Sequence, residues 1–84
     1  MKIDLSHVNE LCLPILKRPK KIIGSKAVVL SDIHNHAGQV IEAGEIVIVW
    51  QSFRGYGIRT VHEEKGETIY ITRVSRLEVR FLKD

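Results

Sequence analysis

The feature that most constrains the fold is a run of β-branched residues near the middle of the chain. Ile46, Val47, Ile48 and Val49 follow one another and lead into Trp50, and these residue types pack well on a pleated sheet. We therefore predict a strand at residues 45–53. Shorter segments with apolar and polar alternation surround this run. They predict further strands at residues 26–30, 58–61, 67–72 and 78–82, and so a mostly β fold of five strands.

The connections between these strands have a characteristic order. Residues 31–44 form a long first loop, while residues 54–57 and 63–66 are short turns that contain glycine. Residues 74–77 fit a single helical turn that leads into the last strand. A long first connection is therefore followed by close ones, with one helical turn before the final strand.

This order resembles the SH3-like small β-barrel, the broad family that includes KOW and translation-protein modules. The resemblance is carried by the first strand at 26–30, the element at 40–46 that leads out of the long loop, and the ending at 74–79. The chain is also similar to short proteins of bacterial and phage genomes. The resemblance implies a five-stranded SH3-like barrel over residues 24–82. It implies no single activity, since small barrels carry many unrelated functions.

The first 23 residues lie outside that resemblance. Apolar residues recur there at helical spacing, at Leu5, Val8, Leu11 and Cys12, and Pro14 limits the segment. We predict a short helix with Ser6 as its N-cap, and an extended arm is the alternative. The chain thus divides into an N-terminal helix with a basic linker, residues 1–23, and a β-barrel, residues 24–84.

Size and composition restrict the cellular setting. Eighty-four residues suffice for one domain, and a single cysteine, Cys12, cannot form an internal disulfide. We expect a reducing, cytoplasmic location and no membrane partner, because no run approaches the roughly 20 apolar residues that a bilayer requires. Apolar residues around Pro14 make a homo-oligomer an open alternative.

An aromatic and basic turn is the first candidate binding site. Phe53, Arg54, Tyr56 and Arg59 surround a glycine turn, and we expect the first three side chains to be exposed. Exposed aromatic rings and arginines contact protein partners or stack on bases and pair with phosphates. A purely structural role is the alternative. Three later cations, Arg73, Arg76 and Arg80, are predicted to lie on an adjoining face.

The basic linker is the second candidate. Lys17, Arg18, Lys20 and Lys21 surround a proline, and they form either an electrostatic arm for a polyanion or a solvated linker. Direct nucleic-acid binding requires these cations to share a face with the arginines of the turn and of the later strands. If these cations are instead interleaved with Glu63 and Glu67, nucleic-acid binding is disfavoured.

Few residues of the chain point to metal or catalytic chemistry. Asp32, His34 and His36 alternate in an extended segment and are weak metal candidates, with a plain polar loop as the alternative. Cys12 fits a small buried residue better than a nucleophile. The glycines form no phosphate-binding motif. We therefore expect no catalytic residue and no cofactor.

The leading hypothesis from the sequence is a non-enzymatic interaction module that docks on a protein or nucleoprotein assembly. The first alternative is direct nucleic-acid binding through a basic and aromatic face. The second is a metal-binding protein that uses Asp32, His34 and His36.

Overall fold

The computed structural model describes residues 2–61 and 67–83, so the predicted turn at residues 63–66 lies outside the described residues. A 3-10 turn at Leu5–His7 leads into a one-turn helix, α1, at Val8–Leu11. The strands follow in chain order: β1 Lys26–Val29, β2 Ile33–His34, β3 Val40–Ile41, β4 Ile46–Gln51, β5 Tyr56–Thr60, β6 Tyr70–Val74 and β7 Val79–Phe81. A second 3-10 turn, Arg76–Glu78, stands between β6 and β7.

Five of the strands form one antiparallel sheet in the order β6-β5-β4-β1-β7. The β-branched strand β4 lies at its centre, as expected for the segment with the strongest strand signal. The prediction of a mostly β fold with five main strands and a short N-terminal helix is confirmed. Over the described residues, β6 and β7 are the outermost strands and do not pair with each other, so the sheet is not closed into a barrel.

Some boundaries differ from the predicted ones. The long first loop contains a two-stranded hairpin of β2 and β3, because Asn35 accepts hydrogen bonds from the backbone of Ala37 and Gln39 and closes a turn. The strand predicted at 58–61 begins two residues earlier, at Tyr56. The predicted cap Ser6 is wrong. Asp4 caps the 3-10 turn that precedes α1, and its carboxylate accepts from the Ser6 amide at 3.0 Å, while the N-cap position of α1 itself is His7.

One face of the sheet, the inner face, carries the main core. Strands β1, β4 and β5 supply side chains such as Val29, Val47 and Ile58, which are fully buried. Tyr56 and Phe81 also belong to this core, and their rings meet edge to face with centroids 5.6 Å apart. The core is thus mainly aliphatic, in keeping with the low aromatic content of the chain.

The N-terminal segment packs on the other side of the sheet, the outer face. Ile3, Leu5 and Val8 cover Val28 and Ile46. The segment then extends the sheet beyond β7, where Leu13 N donates to the Phe81 carbonyl at 2.8 Å and Lys83 N donates to the Leu11 carbonyl at 2.9 Å.

Arg80 holds this segment in place, since its guanidinium donates to the Leu13 carbonyl at 2.8 Å and to Asn9 Oδ1 at 2.9 Å. The outer face is therefore covered at one side and open at the other. In the described part of the chain, no helix has the length and apolar character that crossing a bilayer requires.

Candidate binding surface

A row of side chains crosses the uncovered part of the outer face. The register pairs Tyr70 of β6 with Arg59 of β5, Arg59 with Ile48 of β4, and Ile48 with Lys26 of β1. Directly paired residues point to the same side of a sheet. Tyr70, Arg59, Ile48 and Lys26 therefore form one row across four strands.

Trp50 lies beside this row and contacts Tyr70. The two rings meet edge to face, with centroids 5.9 Å apart and planes at 80°. Both remain accessible, since Trp50 is 38% and Tyr70 is 54% exposed. We call these two residues the aromatic pair.

A glycine fixes the position of the indole. A Cβ atom on Gly57 would lie 3.1 Å from Trp50 Cε2 and 2.9 Å from Gln51 Cβ. The indole therefore packs directly on the backbone of β5, where a larger residue would displace it. This contact holds Trp50 on the outer face, within reach of Tyr70.

A basic groove adjoins the row. Two neighbouring concavities, of about 540 and 340 Å³, share the lining residues Pro19, Ser25 and Leu82. Their walls carry six exposed cations: Lys17, Arg18, Lys20, Lys21, Lys26 and Lys83. Lys26 belongs to both the groove and the row, so the two surfaces are continuous.

The register also separates charge between the two ends of the sheet. One end, the basic end, comprises the start of β1, the β4–β5 turn, the end of β6 and the two residues after β7. It carries Lys26, Arg54, Arg73 and Lys83 together with the basic groove. The opposite, acidic end carries the carboxylates of Asp32, Glu42, Glu45, Glu67 and Glu78.

Two arginines of the basic end have unusual backbone conformations. Arg54 and Arg73 have φ angles of 56° and 59°, in the left-handed region that favours glycine. They come close through Gly55, where a Cβ atom would lie 3.2 Å from the Arg73 carbonyl carbon. The Arg54 guanidinium also stacks over the Phe53 ring, with its Cζ atom 5.3 Å from the ring centroid.

The predicted aromatic and basic turn is only partly exposed. Phe53 is 66% exposed and Arg54 is exposed, so these two expectations are confirmed. The expectation for Tyr56 is wrong. It is 2% exposed, because it is the first residue of β5 and shares the inner face with Ile58, where it packs on Phe81. Tyr56 is a core residue and drops out of the candidate surface.

The other predicted cations are distributed as follows. Arg59 lies in the outer-face row, and Lys17, Arg18, Lys20 and Lys21 line the basic groove. Arg73 and Arg76 are exposed at and after the end of β6. Arg80 is half-buried, and its guanidinium is engaged by the N-terminal segment. Of the two carboxylates that could have interleaved with these cations, Glu67 precedes β6 at the acidic end, and Glu63 lies outside the described residues.

The loop at 32–36 is organised by hydrogen bonds. Asp32 accepts from the Ala43 amide at 2.8 Å, which ties the start of the loop to its end. His34 and His36 line a concavity of about 360 Å³ beside Tyr70 and Thr72. Within residues 2–61 and 67–83, no three His, Cys, Asp or Glu side chains are grouped so that they could hold a metal ion.

Cys12 is 1% exposed, and burial raises the pKa of its thiol, so the reactive thiolate is disfavoured. As part of the N-terminal segment, this residue packs with Val28 and Ile46 of the sheet. The environment is that of a small core residue.

Reasoning from the sequence missed Trp50 and Tyr70 as binding residues. Alternation along β4 places Trp50 on the same face as Ile46 and Ile48, but alternation cannot say whether that face is covered. The contact with Tyr70 depends on two strand pairings, β4 with β5 and β5 with β6.

Comparison with known proteins gives no assignment, since no family model, curated protein or solved structure matches the chain. The resemblance to SH3-like barrels stays a prediction.

Proposed function

We propose that the protein is a non-enzymatic interaction module that binds nucleic acid, free or within a nucleoprotein assembly, through its basic end. The observation that supports this most is the basic groove, whose walls carry six cations and no carboxylate among the described residues. Over that part of the chain, the ion pairs are Lys2 with Glu42 and His7 with Glu10, and neither involves a groove cation.

The clustering of these cations has an electrostatic cost. Cations that crowd together without counter-charges repel one another and weaken the folded state slightly. A polyanion removes that repulsion and releases its own condensed counterions on binding, which gives a salt-dependent gain in affinity. Five of the described carboxylates, those of Asp32, Glu42, Glu45, Glu67 and Glu78, lie at the opposite end of the sheet. A polyanion is therefore drawn toward one end and repelled from the other.

The fold is consistent with this role. As part of the same proposal, we place the chain among the SH3-like small barrels. The supporting features are the long first connection, the consecutive antiparallel pairings and the 3-10 turn that precedes the last strand. Barrels of this size serve as binding scaffolds in many settings, so the fold permits the function without specifying it.

A second candidate is docking on a protein, including a second copy of this chain. The observation that favours it is a group of exposed apolar side chains near the start of the chain, namely Leu11, Ile15, Leu16 and Ile23. Apolar surface of this kind is typical of protein contacts. Sedimentation velocity over a range of concentrations distinguishes a self-associating chain from a monomer.

Fluorescence anisotropy with labelled single-stranded DNA, duplex DNA and RNA tests the main proposal. We expect binding at low salt that weakens steeply toward physiological salt, because the contacts are to phosphates. Absence of binding to all three at low salt would overturn the proposal and leave protein docking as the better account.

A further inference from the structure

Exposed aromatic rings held on rigid strands are suited to stacking. Trp50 and Tyr70 lie on adjacent parts of a hydrogen-bonded sheet, and each keeps more than a third of its surface accessible. Because the two planes are nearly perpendicular, the pair offers faces in two directions. Rings that are fixed before binding lose little conformational entropy when a ligand stacks on them.

The charges around the aromatic pair match those of a nucleic-acid strand. Arg59 pairs with Tyr70 across the β5–β6 ladder, and Lys26 lies two strands further along the same row. Successive strands are about 4.8 Å apart, so Tyr70 and Lys26 are separated by roughly 14 Å across the sheet. Lys26 then leads into the basic groove. A chain of phosphates can therefore follow cations from the aromatic pair to the groove.

The surface beside Tyr70 is concave. His34, Asn35 and Thr72 line this concavity, which has a volume of about 360 Å³. That volume is within the range of small-molecule clefts. The Asn35 amide is already used in hydrogen bonds with Ala37, Gln39 and the Tyr70 carbonyl. The imidazole of His34 and the hydroxyl of Thr72 can exchange hydrogen bonds with the edge of a base whose face rests on the tyrosine ring.

We propose that the outer face binds a single-stranded nucleic acid, with bases stacked on Trp50 and Tyr70 and phosphates held by Arg59, Lys26 and the basic groove. This inference rests on the proposed function and adds the form of the nucleic acid and the way it is held. In a duplex the base faces are already stacked on one another, so a duplex engages the phosphate contacts alone. A single strand engages both sets.

Trp50 provides a direct optical probe, because it is the only tryptophan of the chain. The experiment is a titration of tryptophan emission with an oligothymidylate of about ten nucleotides, which is within the usual site size of strand-binding folds. Parallel titrations use a duplex of the same length and inorganic polyphosphate, which carries the charge of a nucleic acid and no bases. Polyphosphate binding is followed by its displacement of the labelled oligonucleotide.

We expect the oligothymidylate to quench Trp50 and to bind more tightly than the duplex. Polyphosphate should compete for the groove without quenching. The variant Tyr70→Leu keeps the probe and removes one stacking ring, and it should weaken oligothymidylate binding by about five- to one-hundred-fold. The control Leu77→Ala removes an exposed apolar side chain from the 3-10 turn, outside the outer face, and should leave affinity unchanged.

Three results would contradict the inference. If oligothymidylate and duplex bind equally, without quenching and without an effect of Tyr70→Leu, stacking is excluded while the proposed function survives. If polyphosphate quenches Trp50 as strongly as the oligonucleotide, the emission change does not report a base, and the stacking inference fails. If nothing binds at low salt, the proposed function fails and this inference fails with it.

Discussion

The two ends of the sheet carry charged residues that are used in different ways. At the acidic end the charged groups support the fold: Asp32 accepts from the Ala43 amide, Glu78 completes a capping box with Ser75, and Lys2 pairs with Glu42 at 2.5 Å. At the basic end, no hydrogen bond or ion pair among the described residues uses a side chain of the groove cations. Within residues 2–61 and 67–83, the charged groups that support the fold are paired, whereas the groove cations are clustered and unpaired, as expected of a surface that binds a charged partner.

The backbones of the two ends are anchored in the same way, so the difference lies in the side chains. Gly44 at the acidic end and Gly55 at the basic end have φ angles of 90° and 97°. A Cβ atom at Gly44 would lie 2.6 Å from the Ile3 carbonyl oxygen, and one at Gly55 would lie 2.7 Å from that of Val74. Each glycine thus permits a close approach of two backbone segments.

The largest predicted effect follows from these glycines. Gly44→Ala and Gly55→Ala should each lower the free energy of unfolding by at least about 2 kcal/mol, because strain at positive φ adds to a clash with backbone. The control is Gly38→Ala, which has a φ of 86° but no atom within 4 Å of its Cβ, and it should cost less. Urea denaturation measures all three. If Gly38→Ala and Gly55→Ala lower the free energy of unfolding equally, close packing at Gly55 does not anchor the basic end.

The second prediction compares side chains at the two ends. Asp32→Ala should cost about 1 kcal/mol of unfolding free energy, since it leaves the Ala43 amide without its acceptor. The double variant Lys20→Ala/Lys21→Ala should change the free energy of unfolding by less than about 0.5 kcal/mol. Both side chains are exposed, and neither makes a hydrogen bond or an ion pair within the described residues. Thermal and urea unfolding provide the comparison. A double variant as damaging as Asp32→Ala would show that the groove cations are structural.

The third prediction concerns the strained arginines. Arg73→Gly removes a left-handed conformation that costs an ordinary residue about 1–2 kcal/mol, while glycine adds about 0.5–1 kcal/mol of unfolded-state entropy. We expect stability to stay constant or to rise slightly, and nucleic-acid affinity to fall because a cation is lost. A clear loss of stability would show that the Arg73 side chain supports the fold.

The smallest predicted effect is a pH dependence at the N-terminal segment. Hydrogen bonds from the Ser6 backbone and side chain lower the pKa of Asp4. A lowered pKa contributes stability that is present above the unfolded value, about 3.9, and is lost as the pH falls through the folded value. Asp4→Asn should therefore lose this small contribution near neutral pH. The difference from the unmodified protein should disappear in strongly acidic solution, where Asp4 is protonated, so the variant should lose less stability on acidification. Unfolding curves across the acidic range measure this difference.

Local patterns in the sequence predicted the elements better than their relations. The run from Ile46 to Val49 predicted the central strand, because β-branched residues report strand preference locally. The same alternation that includes Ile58 also reaches Tyr56, so a strand begun two residues earlier would have placed this tyrosine in the core. That error came from treating residues 54–57 as one turn, whereas Tyr56 and Gly57 already belong to β5.

The candidate surface could not be predicted to the same extent, because it depends on strand register. Tyr70, Arg59 and Lys26 are far apart in sequence and become neighbours only through the pairings of β1, β4, β5 and β6. The separation of acidic and basic ends has the same origin. Local reasoning identified many of the cations, and long-range pairing decided which of them act together.

The central claim is that the position of the cations matters more than their number. Its most direct test compares Lys20→Gln in the basic groove with Lys2→Gln at the acidic end, since each variant removes one positive charge. Both are titrated against a labelled oligonucleotide over a range of salt concentrations. We expect Lys20→Gln to weaken binding and to reduce the slope of log affinity against log salt by about 1, and Lys2→Gln to match the unmodified protein. Equal effects of the two variants would contradict the account, because the protein would then respond to its net charge and not to the groove.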